Sequence, residues 1–148
     1  MDNLNDIAEA CRSALEVKNA ERERLINVSR VLIRHCANAI RAIHRQEWAG
    51  ARELIGTAAV TVAEMTAVAA QHPDLYHAGY TQDSIKEYVE AAATYALVRG
   101  ETLPTPAQLG VEVATYLNGL AEASTELRRY ILDILRHEHS EEAERLLA

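Results

Sequence analysis

A chain of 148 residues suits a single domain with its own core. Hydrophobic residues at 49% and charged residues at 25% are ordinary globular values, while three Pro, six Gly and no Phe beside many alanines point away from sheets and toward an all-α protein. A net charge of −7 argues against indiscriminate nucleic-acid binding, although a local basic surface stays open.

Residues 4–45 are predicted as one long helix or two joined helices, with Leu15, Ile26, Ile33, Ile40 and Ile43 at roughly heptad spacing. Residues 22–52 carry seven Arg against Glu23 and Glu47, a local balance of +5. Arg30, Arg34, Arg41 and Arg45 fall within about 60° of one helix face, and Asn27 and Asn38 border that strip. The strip is either a track for phosphates or a solvated face paired with acids of a neighbouring helix. Cys11 and Cys36 lie on the order of 37 Å apart along the same helix, too far to bridge within one chain. Reduced thiols, and no signal peptide ahead of the first helix, are what an intracellular, cytoplasmic protein would show.

Gln46-Glu47-Trp48 reads as a turn, and residues 49–70 as a second, Ala-rich helix. Its most apolar run, Thr57 to Ala70, contains Glu64 and is too short to span a bilayer, so no membrane partner is expected. A loop follows to about Tyr80, in which Tyr76 and Tyr80 offer base-stacking platforms and His72 and His77 meet nucleic acid or only water. Thr81 or Asp83 is placed to cap a third helix over 83–99, which stops at Gly100. Thr105-Pro106-Ala107-Gln108 has the N-cap, the proline and the reciprocal glutamine of a helix start. That helix is predicted to reach about Arg136, with a break near Asn118-Gly119 and with His137 and His139 near its end. Ser140-Glu141-Glu142 opens a last helix. The expected fold is an antiparallel bundle of about five to six helices in one domain spanning 1–148.

Four glutamates carry the chemistry. Glu87 and Glu90 lie in Ile85-Lys86-Glu87-Tyr88-Val89-Glu90, and Glu122 and Glu126 in Leu120-Ala121-Glu122-Ala123-Ser124-Thr125-Glu126-Leu127. Helical neighbours at i,i+3 and i,i+4 share a face, so each segment presents two carboxylates to one point. Two such helices facing one another would surround a small space with hard oxygen donors, which suits Mg²⁺ or Mn²⁺. The competing reading is a pair of solvated faces, with Glu126 paired to Arg129 or Arg128. Against it, Glu90 stands before the uncharged run Ala91-Ala92-Ala93-Thr94-Tyr95-Ala96-Leu97-Val98, where an unpaired charge is costly. No Glu-x-x-His occurs, which disfavours a ferritin-like di-iron site. The histidines form no ligand cluster by spacing, and the chain holds no Gly-rich phosphate loop, Cys-x-x-Cys or Gly-x-Ser-x-Gly.

Several stretches together resemble the translin family, in particular its archaeal translin-like members and the branch of translin-associated factor X (Trax). They are Glu23-Arg24-Leu25-Ile26-Asn27-Val28-Ser29-Arg30, Ala42-Ile43-His44-Arg45, Lys86-Glu87-Tyr88-Val89-Glu90-Ala91, Arg99-Gly100-Glu101-Thr102-Leu103-Pro104, Tyr116-Leu117-Asn118-Gly119-Leu120 and Thr125-Glu126-Leu127-Arg128-Arg129-Tyr130. The resemblance implies a helical fold that forms a closed or hollow oligomer on single-stranded RNA or DNA. It implies a Mg²⁺-dependent endoribonuclease for the Trax branch, whose acids match Glu87, Glu90, Glu122 and Glu126. Trax usually has Asp where this chain has Glu122, and family chains continue with further helices beyond the segment matching Arg136–Ala148.

The leading expectation is thus an endoribonuclease for single-stranded RNA in which Glu87, Glu90, Glu122 and Glu126 hold Mg²⁺ or Mn²⁺ and do the catalysis. Arg30, Arg34, Arg41 and Arg45 would bind the nucleic-acid backbone. A non-catalytic single-stranded RNA or DNA-binding protein is the alternative, and a structural partner subunit the third reading. A homo-oligomer, or assembly with a translin-like partner, is expected.

Overall fold

The computed structural model describes residues 3–137 and 140–147, all in helices and their connections. Helix α1 runs unbroken from Leu4 to His44, a rod of about 60 Å. Its core stripe is Leu25, Ser29, Leu32, Cys36, Ala39 and Ile43, a 3.5-residue repeat that keeps one side against the neighbouring helices. Of the expected heptad positions Ile40 and Ile43 are buried and Ile26 is half-buried, whereas Leu15 is 67% and Ile33 40% exposed. Residues 4–20 are exposed throughout, so the first half of α1 overhangs the bundle and leaves Leu4, Ile7, Leu15 and Val17 uncovered.

The chain reverses at Arg45–Glu47, where Gln46 takes a positive φ of 59°. Helix α2 (Trp48–Ala67) continues as a 3₁₀ turn over Val68–Ala70. The whole segment, Trp48–Ala70, spans 23 residues and contains an 18-residue window of mean hydropathy 1.3, long and apolar enough by length and composition to cross a membrane, longer than the apolar run alone suggests. Here it lies along α1 and α4 through Ala51, Ala58, Val62 and Met65. Residues 71–80 are not a plain loop. Helix α3 (Pro73–Tyr76) forms a single turn with Leu75 and Tyr76 buried, which removes Tyr76 as a stacking platform; Tyr80 is half-buried.

Helix α4 (Gly79–Arg99) starts earlier than either expected cap. Thr81 is not a cap: its buried hydroxyl donates to the Leu75 carbonyl. The helix stops where predicted, at left-handed Gly100 with φ 65°. Being covered by α1, α2 and α6, it is buried on most sides from Thr81 to Val98, and the run Ala91-Ala92-Ala93 lets neighbours approach closely. The capping box at Thr105 forms, but its helix α5 (Pro106–Leu109) ends at Gly110, left-handed at φ 67°. Helix α6 (Val113–Leu135) then begins anew and passes through Asn118-Gly119 without a break. Helix α7 (Ser140–Leu147) packs back on α6, burying Ala143. His139, expected beside His137, lies outside the described residues. Among the described residues both cysteines are free, Cys11 exposed and Cys36 buried.

Candidate metal centre

The site is made where α4 and α6 touch, and Gly119 sets the contact. A Cβ at Gly119 would stand 2.6 Å from Val89 Cβ and 2.8 Å from the Lys86 carbonyl oxygen. No other residue fits there without moving a helix. One turn further along α6 comes Glu122, and across from it on α4 stand Glu87 and Glu90. Each of these three carboxylates offers an oxygen within 4.8 Å of the others.

Glu126 lies one turn beyond Glu122 and is not part of that triplet. It is held from a third helix: the His44 Nε2 and Glu126 Oε2 atoms are 2.8 Å apart. The His44 ring packs on Tyr130 at a centroid distance of 5.9 Å, and its Nδ1 lies 3.6 Å from Asp133 Oδ2. Arg129, the expected surface partner of Glu126, is 3.9 Å away and mostly exposed. Sequence spacing alone did not show His44, since 82 positions separate it from Glu126. A cavity of about 280 Å³ opens beside it, bounded by Tyr130 and Asp133. The larger depression, about 480 Å³, lies by Trp48, Arg99 and Arg145 and holds none of the four glutamates.

Glu90 is 8% exposed. Burial pushes its carboxyl up to about 7, and the negative charges of Glu87, Glu122 and Glu126 push the same way. The Lys86 ammonium pulls the other way, and no side-chain hydrogen bond does so among the described residues. Burial also raises the Glu87 carboxyl, opposed chiefly by Lys86. On the α1 side Cys36 is buried, its thiol pushed up to about 12 by burial and then by Glu87 and Glu90, so it stays a protonated packing group. Lys86, to which the sequence motifs assign no role, donates to Glu122 at 2.7 Å, and that bond holds its ammonium above the usual lysine range.

This donor set fits a small divalent cation. It offers hard carboxylate oxygens only, and among the described residues no side chain donates to the carboxylate of the 8%-exposed Glu90, whose charge a cation would offset.

The arginine strip lies elsewhere. Arg30, Arg34, Arg41 and Arg45 are all exposed, about half a turn around α1 from its core stripe. Arg41 donates to Asn38, and Arg45 makes two bonds to Glu47. No ion pair engages Arg30 or Arg34 among the described residues.

No family model matches the chain. It is 27% identical over 147 residues to the uncharacterized protein MJ0175 of Methanocaldococcus jannaschii, covering 98% of this chain and 63% of that protein. It therefore spans less than two thirds of the length of that relative. Among solved structures it is similar to AfC3PO, at a TM-score of 0.87 and 33% identity over 95% of this chain and 72% of that one. The AfC3PO–duplex RNA complex matches at 0.86 and 34% with the same coverage. The fold is also that of apo-NeC3PO, with a TM-score of 0.82 at 20% identity, covering 99% of this chain and 75% of that one. With a third of its residues identical to a C3PO chain along almost its whole length, the protein belongs to the translin family, on its Trax-like side.

Proposed function

We propose that the protein is a Mg²⁺- or Mn²⁺-dependent endoribonuclease acting on single-stranded RNA. The observation that carries this reading is the convergence of Glu87, Glu90 and Glu122 within 4.8 Å, with Glu90 buried. A divalent ion held there would acidify a bound water and neutralise charge on the scissile phosphate. Glu87, Glu90 and Glu122 would be its ligands. Glu126 stands outside that triplet and is oriented by His44, which leaves it as the carboxylate able to take the proton from the attacking water. His44 is thus a positioning residue for the base. RNA as the substrate class is supported by the likeness to AfC3PO, whose complex with duplex RNA is solved. The uncovered apolar side chains on the overhang of α1 favour association with further copies.

Labelled single-stranded and duplex RNA, each incubated with Mg²⁺ or EDTA, test the reading. Cleavage of the single strand is expected with Mg²⁺ only, and Glu90→Gln is expected to lose about 100-fold or more of it. Cleavage that persists in EDTA, or in Glu90→Gln, would overturn the assignment. Preference for the duplex would overturn the single-strand part alone.

Arg30 and Arg34, which make no side-chain bond or ion pair among the described residues, would grip the backbone without reading sequence. Substituting both by Gln should weaken binding of unrelated RNA sequences alike. It should also lower the salt dependence of log K by about 1.4, two contacts at about 0.7 each. An unchanged slope in a filter-binding titration would place the RNA elsewhere.

One feature favours the non-catalytic reading: Lys86 already ion-pairs within the acid cluster. Binding of RNA without cleavage, indifferent to Mg²⁺ and to Glu90→Gln, is the result that reading requires.

A further inference from the structure

The acid cluster contains a cation of its own. Lys86 Nζ stands 2.7 Å from Glu122 Oε1 and 3.7 Å from Glu87 Oε1. Those are two of the three carboxylates that approach within 4.8 Å of one another. An ammonium and a divalent ion compete for the same oxygen lone pairs, and their like charges repel at this range. The two cannot share those oxygens at full strength.

The anchoring of Lys86 is as informative as its charge. Its backbone lies at the point where α4 meets Gly119, so its Cα cannot retreat. Its side chain is only one-fifth exposed, yet the four-carbon stem has freely rotating bonds. The head group can therefore leave Glu122 while staying within a side chain's length of the cluster. An ammonium released there sits beside the place where a scissile phosphate must lie to meet the carboxylates, and a phosphate is the anion it would next pair with.

We propose that Lys86 is an internal counter-cation that a divalent ion displaces from Glu122 and Glu87, and that its freed ammonium then binds a phosphate of the RNA next to the cleaved bond. The proposal rests on the metal-centre reading above. It makes RNA affinity and metal loading mutually dependent: without the ion, Lys86 is engaged by Glu122 and contributes nothing to RNA. Reciprocity then requires RNA to raise metal affinity as much as metal raises RNA affinity.

The test is calorimetric titration of Mn²⁺ into wild-type protein and into Lys86→Gln and Lys86→Met, with a single-stranded RNA binding titration with and without Mn²⁺. Both variants are neutral, and the second keeps the apolar stem. Removing the competitor should tighten Mn²⁺ binding by about tenfold. Removing the phosphate partner should abolish most of the gain in RNA affinity that Mn²⁺ gives wild type. A role confined to packing or to fold stability would do the opposite and weaken the metal. Equal or weaker Mn²⁺ affinity in the folded variants overturns the role of Lys86 and leaves the metal centre standing. Absence of Mn²⁺ binding by wild type overturns the metal centre and this proposal with it. Should both variants fail to fold, nitrogen-15 NMR of the wild-type Lys86 ammonium decides the matter on addition of Mg²⁺. A signal that leaves its Glu122-bonded position supports displacement, and one that stays overturns it.

Discussion

Gly119→Ala is expected to destabilise the protein and to abolish divalent-metal binding, although alanine is the better helix former. In a helix interior the exchange ordinarily gains about 1 kcal/mol. Here the added Cβ would meet Val89 Cβ at 2.6 Å and the Lys86 carbonyl oxygen at 2.8 Å. A side chain can turn away; a backbone carbonyl inside α4 cannot, so the helices must part. Overpacking of this kind costs about 1–3 kcal/mol and more when backbone is involved, which outweighs the propensity gain. A fall in melting temperature on the order of 2–8 °C follows for a domain of this size. The loss of metal is the sharper consequence, because Glu122 rides on α6 while Glu87 and Glu90 ride on α4. Gly50→Ala and Gly56→Ala are the controls. Both lie in α2, where an added Cβ meets nothing within 4 Å, and both should hold or raise the melting temperature. A Gly119→Ala protein with wild-type melting and wild-type Mn²⁺ affinity would show that this close approach does not build the site.

Glu90→Gln is expected to be more stable than wild type at pH 8 without divalent ions, while binding no metal. The sign follows from linkage. The Glu90 carboxyl is raised from 4.5 to about 7 in the folded protein, so between those values the folded state holds a proton that the unfolded chain has released. Stability then falls as pH rises through that window and levels off above it. The amount at stake reaches about 3 kcal/mol, since each tenfold difference in proton affinity is worth about 1.4 kcal/mol. The amide variant has nothing to deprotonate and lacks that fall. Urea titrations at pH 4 and pH 8 check this: the two proteins should agree within error at about pH 4, below both values, and diverge by about pH 8. Adding Mn²⁺ at pH 8 should stabilise wild type and leave the variant unmoved. Metal binding by wild type should also weaken below about pH 7, where the proton and the ion compete for Glu90. Parallel stability curves for the two proteins would mean that Glu90 is solvated and not poised.

The features legible in the sequence were the local ones. The Thr105 and Gln108 capping box closes as its residue types demand, and Gly100 ends α4 in the left-handed conformation that only glycine adopts at little cost. The pairs Glu87/Glu90 and Glu122/Glu126 share faces because 3.6 residues make a turn. Local signals also misled. Asn118-Gly119 has the look of a break, yet the chain stays helical there and the glycine serves the neighbouring helix. Gly110, carrying the same kind of signal, does interrupt the helix predicted to run through it. Leu15 matches a heptad by spacing but projects from an overhang where no second helix lies. The sequence pattern puts Tyr76 in a loop, but one turn of helix at Pro73–Tyr76 buries it in the core.

By itself, then, the order of amino acids determined the long helices, several of their ends, and which carboxylates stand side by side on each one, since all of these depend on hydrogen bonds and sterics within a few residues. Only the tertiary structure decided that Glu122 faces Glu87 and Glu90, that His44 reaches Glu126, and that Lys86 lies among the acids. Those meetings depend on how closely two rods can pack. At their crossing a single hydrogen atom in place of a methyl group decides it, and no spacing rule along one helix carries that information.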